Sequence, residues 1–206
     1  MVEVYNRHKG EPWCNSYIVG DEGKDCFIVD FGYNEGNFII DYALKHHPRI
    51  LGILFTHAHI DHTYGLKDLK EPYPLFMAIE DQDGLSDPFY LESPMLGLGK
   101  LCFDEVNAYP VEDEDEIKLG EYIIKVIATP FHTKGSVCYL LENEGILFSG
   151  DTLFYRGIGR YDLKASCPRF RESSLKKLFS LDGNLVVYPG HGKKTKLADE
   201  KTYLGY

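Results

Sequence analysis

Short apolar runs, broken by glycine, proline and acidic residues, recur along the chain and carry two different periods. Residues 16–19, 26–30, 75–78, 109–111, 122–128, 137–141, 146–149 and 185–188 are brief and rich in β-branched and aromatic side chains, which predicts strands. Residues 49–55, Arg-Ile-Leu-Gly-Ile-Leu-Phe after Pro48, read as one more strand, apolar enough to be buried on both faces. Residues 37–46 and 173–179 carry helical spacing instead. Pro48 closes the first helix, and His46 and His47 sit where positive charge suits a helix C-terminus. Strands in a meander-like series with helices between them fit layers of sheet and helix.

One hexapeptide does not fit that pattern. His57-Ala58-His59-Ile60-Asp61-His62 follows directly on the 49–55 strand, too polar for a core and too rich in imidazole for an ordinary loop. The chain has only 8 histidines, so three within six residues point to a metal site. Ligands at a strand end are held by the scaffold and stay open to substrate. The spacing is not that of a helical H-E-x-x-H site. His57 and His59 could share one ion, while Asp61 and His62, being neighbours, suit a second.

The same arrangement returns three times. Strand 122–128 leads into Thr129-Pro130-Phe131-His132-Thr133-Lys134-Gly135-Ser136, strand 146–149 into Gly150-Asp151-Thr152, and strand 185–188 into Pro189-Gly190-His191-Gly192. A lone His or Asp after a strand is usually structural or solvated; its repetition after the hexapeptide makes all three candidate ligands.

Taken in order, these four motifs resemble the metallo-β-lactamase-fold hydrolases, and among them the hydroxyacylglutathione hydrolase (glyoxalase II) branch, over about residues 16–191. The resemblance implies an α/β (α+β) fold, a four-layer αβ/βα sandwich of two mixed sheets flanked by helices. It also implies that His57, His59 and His132 hold one divalent cation, that Asp61, His62 and His191 hold a second, and that Asp151 bridges both. Zinc is the expected metal, with iron or manganese as alternatives. The implied reaction is metal-assisted hydrolysis of a thioester or related ester by water activated between the two ions, with Asp61 accepting its proton. Phe131 departs from the family, which has Gly before this His, and bears on pocket shape. In Gly157-Ile158-Gly159-Arg160, Arg160 matches the basic residue that meets the glutathione moiety, and a guanidinium grips a carboxylate with two prongs. Only 15 residues follow His191, which matches short single-domain relatives better than the two-domain glutathione enzymes. A persulfide dioxygenase with a single iron shares much of the motif set, and a non-catalytic metal-binding module is a further alternative.

Length and charge agree with a small enzyme. The 206 residues, 44% of them hydrophobic, suffice for one core and are expected to form one domain, 1–206. A net charge of −10 excludes a nucleic-acid binder that relies on a basic face. That charge is uneven: residues 156–206 hold 11 Lys and Arg against 5 Asp and Glu, so an anionic substrate would be drawn toward the site. The acidic run 112–116 reads as a solvated loop. No stretch is apolar enough for a membrane span, and the first residues lack the character of a signal peptide. The 5 cysteines, without C-x-x-C spacing, read as reduced thiols, so a cytoplasmic location is expected.

Overall fold

The computed structural model describes residues 3–7, 12–33 and 38–206, with only the backbone of Arg7. Among the described residues twelve strands form two sheets. In the first lie β1 (Glu3–Arg7), β2 (Ser16–Gly20), β3 (Cys26–Val29), β4 (Ile50–Leu54), β5 (Leu75–Ala78) and β6 (Tyr109–Val111), in that spatial order. The second holds β7 (Glu116–Leu119), β8 (Tyr122–Ala128), β9 (Val137–Leu141), β10 (Ile146–Gly150), β11 (Val186–Pro189) and β12 (Thr195–Lys196), again as neighbours in chain order. Both sheets are mixed: β3–β4–β5–β6 and β10–β11 run parallel, and the other pairs antiparallel.

The two-residue period of the strands divides their side chains between three cores. In β3, Phe27 and Val29 face the second sheet, while Cys26 and Ile28 face outward. In β9, Val137, Tyr139 and Leu141 turn to the first sheet, and Cys138 and Leu140 turn away. Helix α1 (Phe38–His46) covers the outer face of the first sheet with Ile39, Ile40 and Ala43. The outer face of the second is covered by Leu175 and Leu178 of α4 (Arg171–Leu178) and Leu197 of α5 (Leu197–Leu204). Two further short helices, α2 (Ile60–Thr63) and α3 (Ile79–Gln82), follow β4 and β5. Helix, sheet, sheet, helix is the expected four-layer sandwich.

The polar strand ends gather where the sheets meet. Tyr139 donates its hydroxyl hydrogen to the Phe55 carbonyl at 2.8 Å, and the Val137 N–H bonds the Thr56 carbonyl at 2.9 Å, joining the sheets beside the hexapeptide.

Most element bounds match the sequence expectations within two residues. The helix expected over 37–46 is described from Phe38, since residue 37 lies outside the described residues. The helix expected at 173–179 starts two residues earlier, and the strand expected at 185–188 runs one residue later. The acidic run needs one correction: 112–115 is a turn, but Glu116 opens β7, paired across from Lys125. Strands β1, β7 and β12 and helix α5 were not expected, because their sequences are polar and lack a clear apolar face.

Candidate metal centre

Four strand ends deliver side chains to one place. β4 runs through Phe55 and Thr56 into His57 and His59 in an extended loop, and the single turn of α2 then carries Asp61 and His62. His132 lies four residues beyond β8, Asp151 immediately after β10, and His191 two residues beyond β11. Three groups of possible ligand atoms, each within 4.8 Å of one another, result: His57 with His59 and His132; His57 with His62 and Asp151; Asp61 with His62 and His191. All seven expected ligands are therefore brought together.

Most of the polar atoms in the middle make no hydrogen bonds. Nε2 of His57, His59, His62 and His132 and Oδ1 of Asp151 are buried without a hydrogen-bond partner. Leaving so many buried polar atoms unpaired would cost several kcal/mol, at roughly 1–3 kcal/mol for each. A cation at the centre satisfies them together, so the donor set fits one. Nitrogens and carboxylate oxygens suit zinc, iron or manganese. Asp151 stands between the groups, with Oδ1 3.2 Å from His62 Nε2 and Oδ2 3.5 Å from His132 Nε2 and 3.6 Å from His191 Nε2.

The opposite ring nitrogens are held from outside. The Thr56 hydroxyl donates to Asp30, so it accepts from His57 Nδ1–H at 3.1 Å. His62 Nδ1 bonds Asp30 Oδ2 at 2.9 Å, and His132 Nδ1 donates to the Arg160 carbonyl at 2.6 Å. Such outer bonds fix the tautomer and aim the free nitrogen inward. Asp30 also takes the Thr56 N–H at 2.8 Å and holds a left-handed φ of 57°, strain that its bonds offset. The turn carrying His191 is held by Asn15, whose side-chain amide donates to the carbonyls of Pro189 and Gly192, both at 2.9 Å, and by the Tyr17 hydroxyl on Pro189 at 2.6 Å. Sequence reasoning missed Asp30, Thr56, Asn15 and Tyr17. Asp30 carried a usable signal, being a carboxylate at a strand end, just before the Phe31-Gly32 pair.

Charge is unevenly divided over the rings. Burial, and then the neighbouring imidazoles, hold His57 well below the usual range; burial, followed by His132, brings His59 down to about 3. These two are neutral, as ligands must be. His62 is equally buried, but Asp30, Asp61 and Asp151 around it outweigh that burial and raise it well above the usual value. Burial likewise opposes charge on His191, and Asp151 and Asp61 prevail to raise it. For Asp61, burial pushes upward, yet His62 and the 3.0 Å bond from His191 Nε2 hold it below the usual carboxylate range. The cysteines are free; burial pushes the nearest, Cys14, up to about 11, so it is a thiol.

A cleft of about 270 Å³ opens onto the centre, floored by His59, Asp61, His132, Asp151 and His191. Its walls are mainly apolar, with Met95, Leu96, Phe154, Ile158 and Leu163, joined by Glu92 and Arg160. The Arg160 guanidinium forms a two-pronged pair with Asp162, at 2.9 and 3.1 Å. Phe131 is fully buried in the core beneath α4 and does not line the cleft, so its effect on pocket shape is indirect.

Comparison with known proteins agrees with this picture. The family model described as "Metallo-beta-lactamase superfamily" matches residues 13–191. An uncharacterized protein of Mycobacterium tuberculosis (strain H37Rv) is 33% identical over 203 residues, 92% of this chain and 91% of that one. The probable metallo-hydrolase YqgX of Bacillus subtilis is 32% identical over 192 residues, 90% of this chain and 87% of its own. A hydroxyacylglutathione hydrolase of Brucella anthropi is 37% identical over 153 residues, which are 74% of this chain but only 52% of that one. Among solved structures, the BLEG-1 B3 metallo-β-lactamase superposes with a TM-score of 0.86 at 27% identity, covering 98% and 97% of the two chains. The di-iron-bound form of TTHA1623 gives 0.77 at 28% identity, covering 97% of each. The fold, the order of the strand-end ligands and the match over residues 13–191 agree: this chain belongs to the metallo-β-lactamase superfamily.

Proposed function

We propose that the chain is a metal-dependent hydrolase of a thioester or a related ester. The observation that carries this reading is the set of buried His Nε2 and Asp151 Oδ1 atoms, without hydrogen bonds, at the floor of an open cleft. His57, His59 and His132 would hold one divalent cation, and Asp61, His62 and His191 a second, with Asp151 shared between them. When bound, such cations supply Lewis acidity toward a carbonyl and acidify water. Asp61 has 16% of its side chain accessible and lies on the cleft floor, so its carboxylate can orient a water and take its proton. Met95, Leu96, Phe154 and Ile158 exclude water from the acyl portion of the substrate. Arg160 at the cleft wall would exchange Asp162 for a substrate carboxylate. The named activity of the Brucella anthropi relative supports the thioester class, and the match, which covers only 52% of that protein, leaves the thiol carrier open.

Thioester assays with wild type and Arg160→Ala test this reading. A carboxylate-bearing thioester should lose ten- to a hundredfold in kcat/KM on the substitution, the order of a charge-assisted hydrogen bond at roughly 1.5–3 kcal/mol. A neutral ester should be nearly indifferent, and metal content unchanged. Equal losses on both substrates, or none on either, sink the role of Arg160. No hydrolysis of any thioester or ester by the metal-loaded wild type sinks the function.

A further inference from the structure

Asp81 is fully buried, sits outside the ligand set, and forms no ion pair among the described residues. A buried carboxylate without a cation is costly unless donors surround it. Four do. Oδ2 accepts the Ala58 N–H at 2.9 Å and the Thr133 hydroxyl at 2.8 Å; Oδ1 accepts the Gly135 N–H at 2.8 Å and the Tyr90 hydroxyl at 2.6 Å.

The origin of these donors gives the carboxylate its meaning. Ala58 lies between His57 and His59, and Thr133 follows His132. The first loop comes from one sheet and the second from the other, and no strand ladder joins them there. Gly135 presses so close that a Cβ would come within 2.7 Å of the Asp81 carboxyl carbon, which keeps the second loop against the first. We infer that Asp81 is a positioning residue that sets the spacing of His57 and His59 relative to His132, and thereby the affinity of that three-histidine group for a divalent cation.

This rests on the metal-centre reading above, and cobalt(II) binding tests the two separately. Titration of the apoprotein with chelator competition gives an affinity for each site, and histidine-ring NMR identifies which rings each ion reaches. In Asp81→Asn one acceptor oxygen becomes an NH2 group facing donors. The His57/His59/His132 group should weaken by about ten- to a hundredfold, as loss of an outer-shell partner does, and the Asp61/His62/His191 group by less than about threefold. Glu200→Gln is the control for a purely structural loss: Glu200 is also buried, but it accepts from Arg156 N–H and the Thr195 hydroxyl, neither adjacent to a ligand. It should lower the unfolding temperature and leave both affinities in place. If Asp81→Asn does not fold, Thr133→Ala, which removes one of the four donors, should still weaken the three-histidine group.

The inference is overturned if Asp81→Asn (or Thr133→Ala in its stead) binds cobalt there as wild type does. It is equally overturned if Asp81→Asn and Glu200→Gln weaken both groups alike. A wild-type protein whose His57, His59 and His132 rings never meet cobalt overturns the metal-centre reading and this inference with it, and does so before any substitution is made.

Discussion

Asp61 differs from the other carboxylates at the centre in facing the cleft while bonded to His191. Asn at this position keeps the size and one coordinating oxygen but loses the charge and the capacity to take a proton. Asp61→Asn should lower kcat by roughly 10²–10⁴, the range found when a general base is removed. Wild-type turnover at full metal content would remove Asp61 from the mechanism. His62 makes a second residue-scale prediction. Its ring lies between Asp30 Oδ2 at 2.9 Å and Asp151 Oδ1 at 3.2 Å, and its folded-state pKa is raised well above 6.5. The raised value means the metal-free ring is protonated at neutral pH, and its stabilising contribution to the apo fold is lost as pH rises through that folded value. A cation must displace the proton, so binding should release protons and tighten with rising pH until the ring is neutral. Calorimetry in two buffers of different ionisation enthalpy reads this directly; identical heats in both would contradict it.

Elements matter here for where they stop. Strands β4, β8, β10 and β11 each stop within four residues of the first candidate ligand they deliver. Beyond β11, Gly190 leaves room for two of these side chains: a Cβ there would lie 2.2 Å from Asp151 Oδ1 and 2.7 Å from His62 Cε1. Gly190→Ala should therefore displace the shared carboxylate and cost at least one bound ion per chain with the fold retained, checked by circular dichroism and elemental analysis together. Full metal content in that variant would show that the turn accommodates the methyl group. The same elements explain what the sequence made legible. Residues 122–128 and 137–141 are short, mostly apolar runs rich in β-branched and aromatic side chains, so their strand bounds could be read directly, and the first of them leads to His132. Helix α5 was not legible because Leu-Ala-Asp-Glu-Lys-Thr-Tyr-Leu has almost no apolar face; it docks through Leu197 and the buried Glu200. The outer partners were harder still. Asp81 and Asn15 act on loops far away in sequence, and no local pattern announces a contact such as Asn15 to Gly192.

For the molecule as a whole, the two sheets are more than a support. Each supplies half of the centre: His57, His59, Asp61 and His62 come from the first, and His132, Asp151 and His191 from the second. The sheet-to-sheet core therefore sets the distance between the ligand halves. The excess of positive charge over residues 156–206 is partly neutralised in place, since Arg160, Lys164, Lys176 and Lys177 pair with Asp162, Asp87, Glu172 and Asp113. These pairs leave less free positive charge to attract an anion than the composition of the segment alone indicates. No helix among the described residues is long and apolar enough to cross a membrane. The central claim is that hydrolysis depends on ions held by these seven side chains. Its most direct test is titration of metal-free protein with zinc, manganese or iron, following thioester hydrolysis and bound metal in the same samples. The account predicts no turnover without metal and a rise to a plateau at two ions per chain. Hydrolysis that persists in the metal-free protein, or reaches its plateau at one ion, would contradict it.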